Sequence, residues 1–249
     1  MDNSLLVSLS QQLAAYRAMD VIANNLANVS TPGFKREAAK FEEYVAMMRP
    51  AEGQKGMQPV SFVKDAGVTR DTGQGNIEQT GAPLDLAISG KGYFAVQTPA
   101  GLRYTRDGHF SLDGGGNLVT SQGYQVQGDG GAITIAPTDG EVNIAPDGMI
   151  SSVVNGVGNQ LGKIKVVSFA DDTLMTKRGS SLYSTGQTPN TPPTVNIRQG
   201  ALEASNVQPV IEISKMLEVQ RAYEATANLS KSEEDMMRQA IDRLGQVPN

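Results

Sequence analysis

Apolar residues at the start of the chain recur every three or four positions, which is the period of an α-helix. The recurring residues between positions 4 and 29 are Leu5, Leu9, Leu13, Tyr16, Met19, Ala23 and Leu26. The pattern stops at Thr31-Pro32-Gly33, because proline disfavours helical geometry in the residue before it and glycine accepts a positive φ. We therefore predict a long N-terminal helix that ends before this turn.

A second helical pattern covers the C-terminal end, over about residues 209–244. Its spacing is heptad-like with polar interruptions, and the repeating positions are Ile213, Met216, Gln220, Tyr223, Ala227, Ser230, Glu234, Met237, Ile241 and Leu244. At about 1.5 Å per residue this helix would be ~50 Å long, longer than a compact domain of this size needs. The N-terminal helix is its expected partner, so the two chain ends should form one coiled-coil-like layer.

The middle of the chain alternates with a period of two residues, as in residues 93–96, 132–135 and 163–167. Asp-Gly pairs at Asp107 and Asp113 separate such segments, which is typical of short strands joined by tight turns. Residues 51–200 also hold 25 of the 27 glycines. We therefore predict an α+β protein in which long terminal helices flank an inserted all-β domain. The expected boundaries are 1–50, 51–200 and 201–249, with a loop over 51–59.

Composition excludes several classes of protein. A net charge of −5 argues against a general nucleic-acid binder. The absence of cysteine and the single histidine, His109, exclude thiolate and multi-histidine metal sites. No apolar run approaches the ~18 residues of a membrane span, and the N-terminus does not resemble a signal peptide. We expect no cofactor, no metal and no direct membrane insertion, in a chain that is cytoplasmic or is exported without cleavage.

Motifs for catalysis are also missing from the sequence. His109 stands beside a predicted turn with no nucleophile motif near it, so a hydrogen-bonding role at a strand end is the expected one. A wall-glycan hydrolase would need paired carboxylates in an aromatic cleft, and the chain has no tryptophan and 5% aromatic residues. An adhesin-like β module on a helical stalk is the remaining alternative of a different class.

The polar face of the predicted N-terminal helix carries few charges. Within residues 1–34 the charged side chains are Asp2, Arg17 and Asp20, and the other polar residues are mostly serine, glutamine and asparagine. Such a face can be buried against protein without desolvating charges. A contact with other subunits and an unusual but solvated surface helix are the two interpretations.

Several segments resemble the signatures of flagellar basal-body rod and hook proteins. The longest is ANNLANVSTPGFKR at residues 23–36. The others are LAISGKGYF at 86–94, YTRDGHF at 104–110, GALEASNV at 200–207 and QRAYE at 220–224. The segments follow one another in the family's order over most of the chain, so the resemblance extends to the whole architecture.

The resemblance implies an axial component of the bacterial flagellum with no active site. Such proteins leave the cell through the flagellar type III export gate without a cleaved signal. They polymerise helically into the rod that crosses the periplasm, with their terminal helices lining the central channel and the β domain outside. The implied partners are copies of the chain, other proximal-rod and distal-rod subunits, and the export apparatus during secretion.

Two features separate the possible members of this family. The chain length and the sequence Ser-Thr-Pro-Gly-Phe at residues 30–34 resemble the proximal-rod protein more than the distal-rod protein. The QRAYE segment fits distal-rod proteins equally well. A proximal-rod subunit is therefore the leading hypothesis, and a distal-rod or hook-type subunit is the alternative.

The resemblance and the helical patterns together nominate residues for subunit interfaces. These are Leu9, Leu13, Tyr16, Ile22, Asn24, Asn25, Leu26, Asn28, Pro32, Gly33, Phe34, Met216, Gln220, Tyr223, Met237 and Ile241. Asn24, Asn25 and Asn28 are expected to bond across subunits, because a side-chain amide both donates and accepts hydrogen bonds. For Asn28, capping of the helix end is an equal alternative.

Overall fold

The structure is a computed structural model, and it describes residues 3–48, 56–136, 140–154, 157–192 and 195–245. The chain divides into two compact units. The helical unit comprises Met1–Ala27, Glu37–Asp71 and Gln208–Asn249, and the β unit comprises Asn28–Arg36 and Thr72–Val207. The α+β class predicted from the sequence is confirmed. No helix in the described ranges is long and apolar enough to cross a bilayer.

The described residues of the helical unit form two long helices and a two-stranded hairpin. Its elements are α1 (Asn3–Ala27), β1 (Glu37–Met48), β2 (Gln58–Arg70) and α2 (Pro209–Gly245). β1 and β2 are antiparallel, with a register that runs from Glu37↔Arg70 to Met48↔Gln58. A two-stranded hairpin is marginally stable alone, and α1 contacts both of its strands.

The two helices are antiparallel neighbours. The end of α1 meets the start of α2, where the Asn25 side-chain amide lies 2.9 Å from the Glu212 carboxylate. From Glu212 onward, one face of α2 is at least partly buried at a helical spacing. That face comprises Glu212, Lys215, Met216, Val219, Tyr223, Thr226, Ala227, Ser230 and Glu233.

Part of the apolar set of α1 is exposed in the single chain. Leu9, Leu13 and Tyr16, which the sequence nominated for subunit interfaces, are exposed, Leu13 by 62%. The buried residues of α1 include Val21 and Ile22. The apolar residues of α1 therefore spread around much of the helix, and the single chain buries only some of them.

The hairpin differs from the expected boundaries. The sequence predicted a loop over 51–59 and placed residues 51–200 in the all-β domain. In the structure Gln58–Arg70 pairs with Glu37–Met48, and both strands belong to the helical unit. The boundary expected at residue 50, and residues 51–55 of the loop, lie outside the described residues.

The β unit is built from short strands. They are β3 (Ile77–Gln79), β4 (Leu86–Ile88), β5 (Tyr93–Thr98), β6 (Gly101–Thr105), β7 (Phe110–Leu112), β8 (Leu118–Thr120), β9 (Gln125–Gly128), β10 (Gly131–Ala132), β11 (Glu141–Ile144), β12 (Met149–Val154), β13 (Val157–Lys163), β14 (Val166–Val167), β15 (Thr176–Lys177), β16 (Leu182–Ser184), β17 (Ile197–Gln199) and β18 (Ala201–Glu203). A short 3₁₀ helix covers Asp172–Leu174.

Antiparallel pairing organises these strands into four sheets. The largest follows the order β15-β16-β6-β5-β9-β8-β7, with β10 paired to β9 and β14 paired to β5. A second sheet has the order β11-β12-β13, and the pairs β17-β4 and β18-β3 complete the unit. The last two pairs join distant parts of the sequence, because β17 and β18 lie about a hundred residues after their partners.

Among the described residues of the β unit, buried apolar side chains form two clusters. The larger is aliphatic with two phenylalanines, Phe94 and Phe110, whose rings meet edge to face at 5.1 Å. The smaller is aromatic, and in it Tyr104 lies 4.7 Å from Phe169 between ring centroids. Edge-to-face rings add to the stabilisation from burial alone. The cores therefore require strands from most of the β unit.

The Asp-Gly pair at Asp113 forms the tight turn that the sequence predicts. Asp113 accepts hydrogen bonds from the backbone N–H groups of Gly115 and Asn117, and Gly116 adopts a φ of +78°. The hydrogen bonds from Asn117 and Gly115 lower the pKa of the Asp113 carboxyl. A carboxylate that accepts backbone donors in this way is a common turn initiator.

Candidate assembly site

The residues between α1 and β1 belong to the β unit, although the elements on both sides of them belong to the helical unit. We call residues 28–36 the signature segment. Two turn hydrogen bonds shape its start, from Thr31 N–H to the Asn28 carbonyl and from Phe34 N–H to the Thr31 carbonyl. α1 ends at Ala27, so the predicted end of the helix before Thr31-Pro32-Gly33 is confirmed.

Backbone hydrogen bonds hold the signature segment against the chain that follows β18. Gly33 N–H donates to the Glu203 carbonyl at 2.7 Å, and Asn206 N–H donates to the Phe34 carbonyl at 3.4 Å. Arg36 N–H donates to the Asn206 side-chain oxygen at 2.6 Å. Buried backbone groups need such partners, and here residues more than 160 positions away supply them.

Gly33 lies where no other residue fits. Its φ is +67°, in the left-handed region that glycine occupies without steric cost. A Cβ at this position would overlap the backbone of Arg106 and Asp107. The positive φ expected from the sequence is therefore present, and the backbone of the signature segment lies directly on the backbone at the end of β6.

A buried ion-pair network follows Gly33. The Lys35 ammonium lies 2.5 Å from one oxygen of the Glu203 carboxylate and donates to the Gly73 carbonyl at 2.7 Å. The Arg106 guanidinium lies 3.1 Å from the other carboxylate oxygen and donates to the Gly90 carbonyl at 2.8 Å. The Lys35 and Glu203 side chains are each 1% exposed. Two buried cations therefore share one carboxylate.

Two cations of this region make cation–π contacts with aromatic rings. The Lys177 ammonium lies 4.2 Å from the centroid of the Phe34 ring, and Phe34 itself is buried. The Arg106 guanidinium lies 5.2 Å from the centroid of the Tyr93 ring. Cations attract the negative faces of aromatic rings most strongly when water is excluded. Burial raises the pKa of the Tyr93 hydroxyl, so this ring carries no charge at neutral pH.

Asp107 and His109 form a smaller polar group beside the network. Burial raises the pKa of the Asp107 carboxyl, although the His109 backbone N–H donates to it. His109 Nδ1 lies 2.8 Å from the buried Asp85 carboxylate, and the two residues form an isolated antiparallel bridge. The expected hydrogen-bonding role of His109 is thereby confirmed. Within the described ranges, no cluster of three acidic or histidine side chains could bind a metal.

Asn25 joins the three parts of the helical unit. Its amide nitrogen donates to the Glu37 carbonyl at 2.7 Å and to the Glu212 carboxylate at 2.9 Å. Its amide oxygen accepts from Glu37 N–H at 2.9 Å. Asn25 is 0% exposed. The sequence analysis assigned its hydrogen bonds to a neighbouring subunit, whereas in the structure they join α1, β1 and α2 of one chain.

The remaining predicted interface residues divide by exposure. Exposed side chains are Leu9, Leu13, Tyr16, Asn24, Gln220, Met237 and Ile241. Partly buried side chains are Leu26, Asn28, Pro32, Met216 and Tyr223. Ile22, Gly33 and Phe34 are buried and make their contacts inside the chain. Asn28 takes part in a local turn, because its side-chain oxygen accepts from the Thr31 hydroxyl at 3.2 Å.

Sequence patterns did not indicate the charged residues in the buried ion-pair network or the buried glutamate that binds Asn25. Lys35, Arg106, Glu203 and Glu212 were not nominated, because charged residues are expected at the surface unless a partner is known. Three of them stand in segments that carried the family resemblance: Lys35 in FKR, Arg106 in TRDG and Glu203 in ALEASN. Sequence separation hid the pairing, since Lys35 and Glu203 are 168 positions apart.

Comparison with known families gives three matches along the chain. Residues 5–35 match the family described as Flagella basal body rod protein. Residues 87–152 match the Flagellar hook protein FlgE/F/G D1 domain, and residues 198–243 match the Flagellar basal body rod FlgEFG protein C-terminal family. Lys35, Arg106 and Glu203 each lie in a different one of these regions, so the ion-pair network joins all three.

Individual relatives cover nearly the whole chain. A flagellar basal-body rod protein FlgF from Caulobacter vibrioides is 44% identical over 99% of this chain and 100% of its own length. A FlgF from Mesorhizobium japonicum is 38% identical over 98% of this chain and 99% of its own. A FlgG from Caulobacter vibrioides is 33% identical over 97% of this chain and 98% of its own length.

Substitutions in the ion-pair network should have unequal effects. Glu203→Gln leaves two buried cations without a carboxylate and should lower the free energy of unfolding of the β unit by about 3–5 kcal/mol. Lys35→Met should cost less, because the Arg106–Glu203 pair stays balanced. Urea unfolding followed by near-ultraviolet circular dichroism of the buried tyrosines measures both. Glu78→Gln, at an exposed position, is the matched control, and a larger loss for Lys35→Met would contradict this order.

Asn25→Asp should destabilise the helical unit in a pH-dependent way. The new carboxylate would face the Glu37 carbonyl and the Glu212 carboxylate, at a cost of about 3–5 kcal/mol near pH 7. Burial and Glu212 would raise its pKa in the folded state, so the deficit should shrink as the pH falls and the group becomes protonated. Urea unfolding followed at 222 nm between pH 5 and pH 8 tests this, with exposed Asn228→Asp as control. A deficit independent of pH would refute the argument.

Proposed function

Because this chain belongs to the family of flagellar rod and hook proteins that includes FlgF and FlgG, we propose that it is a structural subunit of the proximal rod. The observation that supports this most strongly is the similarity to FlgF over almost the full length of both chains. The FlgG of the same bacterium, Caulobacter vibrioides, is less similar, at 33% against 44% identity. The distal rod is the alternative position.

The working parts of such a subunit are its contacts with neighbours. Relatives of this chain are structural rod proteins rather than enzymes. The proposed neighbours are copies of the chain and other proximal-rod and distal-rod subunits, and the proposed location is the rod where it crosses the periplasm. Contacts between unlike surfaces extend a helical assembly instead of closing it into a ring.

The exposed stripe of α1 is the proposed contact surface. It consists of Leu6, Leu9, Leu13 and Tyr16, which are all exposed in the subunit. Residues 3–16 contain no charged side chain. Burying this stripe removes apolar area from water without desolvating a charge. In the assembled rod, α1 and α2 would then pack with neighbouring helices as a coiled-coil-like inner layer around the export channel.

Export precedes assembly in this proposal. The chain would pass through the flagellar type III export apparatus without a cleaved signal and then fold and assemble at the growing end of the rod. The terminal helices would acquire their full set of contacts there, since exposed apolar faces are stabilised only when neighbours cover them.

Leu13→Asp tests the proposed contact surface. Leu13 is exposed in the subunit, so the monomer should keep its fold, but burying a carboxylate in the assembly would cost several kcal/mol per contact. Export should continue while rod yield in basal-body preparations and swimming both fall. Leu174→Asp, at an exposed position of the β unit, is the matched control. Normal swimming of the Leu13→Asp strain would contradict the proposed role of the α1 stripe.

A further inference from the structure

The helices of the pair differ in length. α1 has 25 residues and α2 has 37, and the contact between Asn25 and Glu212 fixes where they begin to run side by side. Counting 22 residues back from Asn25 reaches the described start of α1 at Asn3, and 22 residues forward from Glu212 reaches Glu234. The final part of α2 therefore extends past the described part of α1.

Burial along α2 agrees with this count. The partly buried face ends at Glu233, and every residue from 234 to 243 is exposed. We call residues 234–243 the C-terminal extension. At about 1.5 Å per residue it is ~15 Å long. It is helical although nothing in the described part of the subunit covers it.

The C-terminal extension carries large apolar side chains. Met236, Met237 and Ile241 are exposed, Ile241 by 68%. Charged residues surround them, and two of these are already paired, since the Arg238 guanidinium lies 2.8 Å from the Glu234 carboxylate. Three large apolar side chains within six residues of an exposed helix favour a protein contact over a solvated surface.

The α1 stripe has matching dimensions. Leu6 to Tyr16 covers eleven residues, about 15 Å from the first to the last, and the stripe residues recur at spacings of three and four along one helical face. Residues 3–16 carry no charge that could repel the charged rim of the extension. Methionine side chains adapt to irregular surfaces, so Met236 and Met237 suit a contact with the Leu13 and Tyr16 side chains.

We propose that the C-terminal extension of one copy packs on the α1 stripe of the next copy. The inference rests on the proposed function, and it identifies the surface that occupies the stripe. The two surfaces are different parts of the same chain, so each copy offers one of each kind. Repetition of such a contact produces an open assembly instead of a closed dimer. The extension cannot reach its own α1 in this way, because it begins beside Asn3, the described start of α1, and continues away from it.

Cysteine cross-linking tests this contact directly, since the chain has no cysteine of its own. Two full-length single variants with different tags are produced in one strain, Leu9→Cys or Leu13→Cys together with Met237→Cys or Ile241→Cys. A disulfide requires Cβ atoms about 3.8 Å apart, so the four combinations sample the contact. After mild oxidation of purified basal bodies, we expect a mixed-tag dimer from at least one combination.

Control variants separate the possible results. Leu13→Cys with Leu174→Cys, at an exposed site in the β unit, should give no mixed-tag dimer. Dimers from Met237→Cys alone would show that two extensions pair with each other and would overturn the proposal. Basal bodies that contain both variants, react with a thiol label and give no mixed-tag dimer in any combination would also overturn it. Absence of the chain from basal bodies would instead overturn the proposed function, and this inference with it.

Discussion

The buried ion pair between Lys35 and Glu203 holds the signature segment in the β unit, and the packing around that segment depends on it. A buried lysine is costly unless its charge is matched, and here the match comes from a residue near the other end of the chain. Arg106 binds the second oxygen of the same carboxylate. Three segments that are distant in sequence must therefore come together before any of these charges is stable in the interior.

The ion pair and the close packing around it leave little space for other side chains at Gly33, Phe34 and Lys35. Gly33 lies on the backbone of Arg106, where a side chain would not fit, and Phe34 and Lys35 fill the interior beside it. Immediately before the segment, Asn25 uses its amide to join α1, β1 and α2. The residues that most resemble a family signature thus act within one subunit. The exposed α1 stripe and the C-terminal extension remain available for contacts with neighbours.

Much of the fold could be predicted from the chain because its local patterns are strong. The three-and-four spacing from Leu5 to Leu26 and the turn at Thr31-Pro32-Gly33 locate α1 and its end, and the Asp-Gly turns indicate short strands. The features that could not be predicted depend on distant partners. Periodicity gave no means of finding Glu203 opposite Lys35, and the β1–β2 hairpin has few residues that alternate strictly.

Hydrogen exchange of the purified, unassembled subunit tests the central claim that the signature segment is fixed within a single chain. The backbone N–H groups of Gly33, Arg36 and Asn206 donate hydrogen bonds between the signature segment and the chain at and after β18. These amides should therefore exchange as slowly as those of β4 in the core of the β unit. Rapid exchange of Gly33 while β4 stays protected would contradict the account.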